Sequence, residues 1–421
     1  MAVEVEKVLP PAKAAVQETG GLQDSRDCVR CGACMSSCPL YALTGRETAV
    51  ARGKLQLLSF WKEGHLASVD RLREILSFCL LCGACADKCA VGLKVPELVK
   101  EARARIHREQ GLVWHPELLL ARLTWQAPHL IPRVAPLAPL INRLKSWVGQ
   151  DSGLMWRLFP HLNQALAGFP DLALRPFSFQ APRWLPGRGS LKIAFFVGCG
   201  LEALFPRAGM AFLAVCQRLG IEVIIPPGQG CCGLMAESVG ERDLALAQTR
   251  RLVQQFSALP VDYVVSACAS CAFQLKRVAN LLSDTAEEKA ARRLAAKVRE
   301  ASEFLRHEAA YHPGYRPAAV KVVFHDPCHL HRGQGIEQEP RELLREAKGE
   351  SGEAAEKTCC GLGGAFGVLF PDLSRRLGDR RLQALRDTGA EVVATSCSGC
   401  LVQLARIKSP LKVVHFLELI A

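Results

Sequence analysis

Two runs of four cysteines could do chemistry together: Cys28-x-x-Cys31-x-x-Cys34-x-x-x-Cys38-Pro39 and Cys79-x-x-Cys82-x-x-Cys85-x-x-x-Cys89. Three thiolates at this spacing wrap one cubane [4Fe-4S] cluster, and the fourth, three residues further on, serves the other cluster of a pair. The runs therefore interlock. Cys28, Cys31, Cys34 and Cys89 are expected round one cluster, and Cys79, Cys82, Cys85 and Cys38 round the second. Gly32 and Gly83 are expected where the backbone passes close to sulfur, and Pro39 turns the chain after the first run. Ala90 stands where the second run would ordinarily carry proline, which leaves that turn open. Zinc fits less well, because it usually takes two separated pairs of ligands. Attachment of c-type haem requires a histidine directly after Cys-x-x-Cys, and none follows here.

Further cysteines repeat. Cys199, Cys231-Cys232-Gly233 and Cys268-x-x-Cys271 recur as Cys328, Cys359-Cys360-Gly361 and Cys397-x-x-Cys400, offset by 128 or 129 residues throughout. A period held that closely across five cysteines argues for two copies of one fold, each presenting five thiols. The elements that position them follow from the patterning. Lys192 to Val197 is an apolar strand ending at Gly198-Cys199, followed by a helix over 210–220, a strand over 221–225, a helix over 241–258 and a strand over 261–267 that delivers Cys268. The second copy echoes this with a strand before Cys328, helices near 339–347 and 371–389, and a strand before Cys397. Apolar strands alternating with helices predict parallel sheets covered on both faces, with the thiols at the carboxyl ends of strands where such sheets place ligands.

These motifs resemble known families. The first eight cysteines are those of two-cluster bacterial ferredoxins. The repeated sets resemble the CCG, or cysteine-rich, domain found in heterodisulfide reductases and in glycolate oxidase iron-sulfur subunits. The order of the parts looks like the iron-sulfur subunit of glycolate oxidase and its relatives serving D-lactate or glycerol-3-phosphate, and Ala51-Arg52-Gly53-Lys54 resembles that family's Pro-Arg-Gly-Arg segment. The resemblance implies non-cubane [4Fe-4S] clusters on Cys199, Cys231, Cys232, Cys268 and Cys271 and on Cys328, Cys359, Cys360, Cys397 and Cys400. Both sets are complete, which leans toward the heterodisulfide branch. Zinc stays open as the alternative occupant, since five thiolates exceed its needs without forbidding it.

The chain has 421 residues, 49% of them hydrophobic, enough for several cores. The expected fold class is α+β and multi-domain, a helical dicluster ferredoxin-like domain followed by two repeated α/β CCG domains with parallel sheets. The expected divisions are a flexible tail over 1–20, the ferredoxin-type domain over 21–110, a Pro/Trp/Leu-rich helical connector over 111–187, and CCG domains over 188–312 and 313–421. In the connector, Arg122, Arg133, Arg143 and Lys145 alternate with leucine and tryptophan, a pattern for packing between domains, for gripping a partner, or for lying in a lipid interface. No apolar run is long enough to span a membrane. The start lacks a secretory pattern, so a cytoplasmic location is expected, with a peripheral place on the inner face of the membrane as an option. The formal charge of +12 omits anionic clusters and, without a nucleic-acid motif, predicts no nucleic-acid partner.

Cys216 lies in an apolar helical run and reads as a core thiol. His325, Asp326 and His329 flank Cys328 and could tune a cluster, relay protons, or cap a strand end. The stretch Gly361 to Gly367 lacks the nucleotide-binding register and reads as backbone folding round Cys359-Cys360. With no flavin, nicotinamide, phosphate-loop or hydrolase fingerprint, the resemblance implies an electron-transfer subunit. An FAD-containing partner would oxidise glycolate or D-lactate, and quinone or another membrane acceptor would take the electrons. The alternatives are a catalytic heterodisulfide reductase-like chain, a subunit of anaerobic glycerol-3-phosphate dehydrogenase, and a zinc-stabilised scaffold.

Overall fold

A computed structural model describes residues 24–66, 68–111, 122, 126, 135–149, 170–315, 321–349, 352, 354 and 356–421. The chain divides into two compact units, Met1–Val113 and Trp114–Ala421.

The first unit is built from short helices, because each cysteine run breaks the chain with glycine or proline. They are α1 (Ala33–Ser37), α2 (Pro39–Thr44), α3 (Ala51–Lys62), α4 (Val69–Ser77), α5 (Ala84–Asp87) and α6 (Val95–Gln110). Pro39 opens α2 at a position where its missing N–H costs nothing, and the Ser68 hydroxyl caps α4 by accepting from Arg71 N–H. The three longer helices bury one stripe each: Leu55 and Leu58 from α3, Leu72 and Leu76 from α4, and Leu98, Val99, Ala102 and Ile106 from α6. Cys28, Cys34, Cys79, Cys85 and Cys89 pack on this core, so the apolar centre and the thiol sites are built together.

In the second unit the repeat becomes two sheets. The first copy has five strands in the order β1-β3-β2-β4-β5: β1 (Trp184–Leu185), β2 (Lys192–Phe196), β3 (Glu222–Ile224), β4 (Tyr263–Ser266) and β5 (Val298–Glu300). All pairings are parallel except β1 with β3. The second copy has three parallel strands in the order β6-β7-β8: β6 (Val322–Phe324), β7 (Val392–Thr395) and β8 (Lys412–His415). At the place of β3, the described residues show a single parallel bridge, Val323 to Gly352. The helices that matter to the thiols are α7 (Gly198–Ala203), α8 (Pro206–Arg218), α9 (Leu234–Val239), α10 (Arg242–Phe256) and α11 (Ala269–Lys276) in the first copy. Their counterparts in the second are α12 (Cys328–Gln334), α13 (Gln338–Lys348), α14 (Pro371–Arg386) and α15 (Ser398–Ala405). The architecture is the expected α+β one. Sequence patterning did not reveal β1, β5 or β8, which have only two to four residues and no clean alternation.

The expected tail over 1–20 and much of the connector lie outside the described residues, as does Arg133. Where the connector is described, Leu137, Leu140, Leu174, Phe179 and Trp184 are exposed, while two polar contacts tie it inward. Arg122 pairs with the buried Glu241 at 2.8 Å, and the Asn142 amide bonds both Leu172 N–H and Leu172 C=O at 2.9 and 3.0 Å.

Candidate metal centres

None of the cysteines is in a disulfide. In the first unit, one concavity is lined by Cys28, Cys31, Cys34, Cys85 and Cys89. Cys31 is exposed, so this set reaches the surface. Leu93 N–H donates to Cys89 Sγ at 3.3 Å. On the other side, Cys38 lies in electrostatic range of Cys82, and Cys85 in range of Cys79, Cys82 and Cys38. Burial pushes the Cys38 and Cys85 thiols up, and for Cys85 the neighbouring sulfurs add to the rise. Cys85 is also in range of Cys34, so the two expected sets lie side by side in this unit, with Cys85 near both.

Gly32 and Gly83 share a conformational role. Both adopt left-handed φ of 81° and 77° as N-caps of α1 and α5, and Gly32 lines the concavity with Cys28, Cys31 and Cys34, where a Cβ would meet the Arg52 guanidinium at 3.1 Å and Met35 Sδ at 3.7 Å. The requirement is conformational. At Gly198 the backbone presses on a thiol, since a Cβ would stand 2.9 Å from Cys271 Sγ.

Two cations escaped sequence reading. Lys54, 1% exposed, donates through Nζ to the carbonyls of Thr48 at 2.7 Å and Ala49 at 2.5 Å. Burial pushes its ammonium below the ordinary lysine value, while Cys79, Cys38 and Cys85 pull it back. Arg103 donates to the carbonyls of Leu76 at 2.6 Å and Cys79 at 2.9 Å. Both stand by the Cys38/Cys79/Cys82/Cys85 set. Lys54 was visible as the one charge on the buried stripe of α3.

In the second unit each five-thiol set is assembled by the same local rule. A buried parallel strand ends, and the next residues turn into a helix whose first turn carries sulfur. Cys199 follows β2 at the start of α7 and Cys328 opens α12 after β6. Cys268 and Cys397 are N-caps of α11 and α15 with nearly equal φ of −128° and −129°, and Cys271 and Cys400 lie one turn on. The loop pairs Cys231-Cys232 and Cys359-Cys360 are buried against them. In the first copy Cys199 bonds Cys231, Cys231 bonds Cys232, Cys232 bonds Cys271, and Cys271 bonds Cys268. In the second, Cys360 bonds both Cys359 and Cys400, the latter at 3.5 Å, and Cys400 bonds Cys397. Hydrogen bonds from neighbouring thiols pull Cys232, Cys268 and Cys360 below the ordinary thiol value. Buried thiols sharing protons in a line fit a metal cluster, whose binding would displace those protons.

The two sets meet. Cys268 is hydrogen-bonded to Cys397, Ser398 Oγ lies 3.2 Å from Cys268 Sγ, and Ser270 Oγ lies 3.2 Å from Cys397 Sγ. Backbone pairing of Ala269 N–H with Ser396 C=O at 2.8 Å and the His415 ring on Ala267 C=O at 2.8 Å close the seam. Neither serine was singled out by the sequence reading. Each sits inside its Cys-x-x-Cys, which is the signal that could have flagged it.

The residues round Cys328 separate in space. Asp326 forms a buried bidentate pair with Arg341 at 2.7 and 2.8 Å and fixes the end of β6. His329 stacks on Phe273 with ring centroids 4.8 Å apart and bonds Ser270 through Nδ1 at 2.8 Å, in the seam. His325 belongs to the thiols: a ring nitrogen lies within 4.8 Å of the Cys360 and Cys400 sulfurs. Burial, with the Arg381 cation beside it, lowers the His325 imidazolium to about 3, so the ring is neutral. The glycine-rich stretch after Cys360 carries Ala365, which packs on Met235 and Val239 of the first copy. Cys216 is fully buried on α8.

Known sequences place this geometry. Residues 24–93 match the 4Fe-4S dicluster domain, and residues 193–276 and 322–405 each match the cysteine-rich domain. The chain is therefore an iron-sulfur protein of the dicluster and double cysteine-rich class. The probable glycolate oxidase iron-sulfur subunit of Bacillus subtilis is 31% identical over 90% of this chain and 88% of its own length. The glycolate oxidase iron-sulfur subunit of Escherichia coli K12 is 27% identical over 94% and 93%. Lactate utilization protein A of Bacillus subtilis, 31% identical, is covered over 99% of its length by 55% of this chain. The chain belongs to the family of glycolate oxidase iron-sulfur subunits. No helix among the described residues is long and apolar enough to cross a membrane.

Proposed function

We propose that this chain is the electron-transfer subunit of a flavin-dependent dehydrogenase of glycolate or D-lactate, receiving electrons from an FAD-containing partner and passing them toward quinone. The observation that supports this is the clustering of unpaired thiols: Cys28, Cys31, Cys34, Cys85 and Cys89 round one concavity, Cys38, Cys79 and Cys82 near Cys85, and the buried thiols of the two cysteine-rich copies meeting at Cys268 and Cys397. On this reading Cys28, Cys31, Cys34 and Cys89 hold one [4Fe-4S] cluster and Cys79, Cys82, Cys85 and Cys38 the other. Cys199, Cys231, Cys232, Cys268 and Cys271, and likewise Cys328, Cys359, Cys360, Cys397 and Cys400, hold non-cubane clusters. The clusters supply one-electron carriers. The protein supplies thiolates, the Lys54 and Arg103 charges, amide N–H donors and exclusion of water. The boundaries 21–110, 111–187, 188–312 and 313–421 go with this assignment. So do a cytoplasmic location, a peripheral approach to the membrane through the leucine- and tryptophan-rich connector, and the absence of a nucleic-acid partner.

The test is anaerobic purification with whatever the chain binds, followed by addition of glycolate, D-lactate, glycerol-3-phosphate or a dithiol while flavin and cluster absorbance are watched. Bleaching by one hydroxy acid through a co-purified flavoprotein is expected. A chain holding zinc beside about eight irons, instead of about sixteen irons with matching sulfide, would overturn the assignment.

The seam between Cys268 and Cys397 favours a second reading, in which a disulfide or quinone reacts between the two cysteine-rich halves. Replacing Cys232 or Cys360 would then abolish disulfide reduction and spare the signals of the dicluster domain. Equal loss of both would sink it.

A further inference from the structure

The internal repeat is broken at one chemically telling place. Aligned on Cys199 and Cys328, Phe196 of the first copy stands where the second has His325. Both side chains are fully buried. Arg381 on α14, 1% exposed, likewise falls at the register of the first copy's buried Leu252 and Val253. Sequence relatedness within the fold would have kept apolar residues here, so the pair needs a reason.

The hydrogen bonds supply one. Arg381 Nε donates to His325 Nδ1 at 3.0 Å in the buried interior, and Arg381 also donates to the Glu356 carbonyl. Guanidinium has no acceptor, so Nδ1 must present its lone pair, and the neutral ring must carry its proton on Nε2. That Nε2–H has no partner among the described residues, although it is buried. A buried donor left unmet is costly, so an acceptor is needed there. The acceptor chemistry beside the ring is sulfur, since a ring nitrogen of His325 and the Cys360 and Cys400 sulfurs all lie within 4.8 Å of one another. Direct ligation of iron through Nε2 would require an imidazolate, which an arginine donating to Nδ1 does not produce.

We infer that His325, locked by Arg381, is a hydrogen-bond donor to the sulfur of the second cysteine-rich site and not a metal ligand, which makes that site easier to reduce than its Phe196-lined counterpart. The inference rests on the iron-sulfur occupancy proposed above. Hydrogen bonds to cluster sulfur and a nearby cation both stabilise the reduced, more negative state, and the first site has neither at the matching positions.

The test uses the full chain purified anaerobically with its clusters. Iron and sulfide are counted, and each site is followed by EPR during a redox titration, the second site being the signal lost in Cys360→Ala. His325→Phe and Arg381→Leu, which copy the first half, should keep the metal count and shift the second site's midpoint to more negative potential. His325→Gln, which retains an N–H donor, should keep most of the wild-type potential. Nitrogen-15 labelling of histidine should give a weak through-hydrogen-bond coupling that vanishes in His325→Phe. An unchanged midpoint in both apolar variants would overturn the inference, as would a strong directly bound nitrogen coupling or loss of an iron in His325→Phe. Zinc in the wild-type second site would remove the occupancy reading and the inference with it, and metal analysis alone tells that failure from the others.

Discussion

A single buried lysine decides much about the first unit. Lys54 reaches the Thr48 and Ala49 carbonyls and faces three of the four thiols of one set, whereas the other set opens to solvent at Cys31. A fixed positive charge in a dry site favours the reduced cluster. Lys54→Met should therefore lower the midpoint of the Cys38/Cys79/Cys82/Cys85 cluster more than that of its neighbour, and cost about 2 kcal/mol through two lost charge-assisted hydrogen bonds. Parallel shifts of both clusters in an EPR titration would contradict this. At Gly198 the constraint is steric, since φ is +70° and a Cβ would overlap Cys271 Sγ at 2.9 Å. Gly198→Ala should displace Cys271 and strip iron from the first cysteine-rich site while the other sites stay loaded. Full iron content in that variant would show that the backbone can yield.

Among the elements, strand ends that turn into helices do the positioning. The β2–α7, β4–α11, β6–α12 and β7–α15 junctions place sulfur at the carboxyl edge of a sheet, and the largely buried strands behind them hold the register. A different junction, β5 into the short helix Ala301–Glu303, carries a pH response. Glu300 caps that helix through Ser302 and is fully buried, and burial pushes its carboxyl up to about 7 against the pull of the Ser302 hydrogen bonds. Between the unfolded value of about 4.3 and this raised value, the folded chain keeps a proton that the unfolded chain has released. Stability contributed by the protonated cap is present at the acid end of that window and is lost as pH rises through it, by roughly 3 kcal/mol. Glu300→Gln should flatten this part of the pH–stability curve and raise the melting temperature relative to wild type at about pH 8. Identical slopes in the two proteins would place the titration elsewhere.

At the scale of the whole molecule, two units carry separate cores. The first buries the leucine stripes of α3, α4 and α6 with its thiols packed on them. Expressed alone with iron and sulfide, residues 24–111 should fold and hold about eight irons. A precipitating or iron-free fragment would mean that the unit depends on the remainder of the chain. The two cysteine-rich halves, in contrast, share a seam of Cys268, Ser270, Cys397 and Ser398, and the stretch from Gly361 lays Ala365 on helix α9 of the other half. They are one folding body.

Short-range chemistry was legible in the sequence. Ligand spacing within a run, the repeat of five cysteines, and the apolar strands before each thiol are fixed by neighbours along the chain, because a cluster's geometry and a strand's pleat both have short periods. The spacing also predicts one long-range pairing, the exchange of Cys38 and Cys89 between the two proposed clusters. What the tertiary structure alone decided are contacts between residues far apart in the chain whose types announce nothing. Arg381 meets His325 across 56 positions, Ser398 meets Cys268 across 130, and Lys54 turns inward to thiols before and after it. Burial strengthens every charge and hydrogen bond at such sites, and burial is a property of the packed chain rather than of any residue in it.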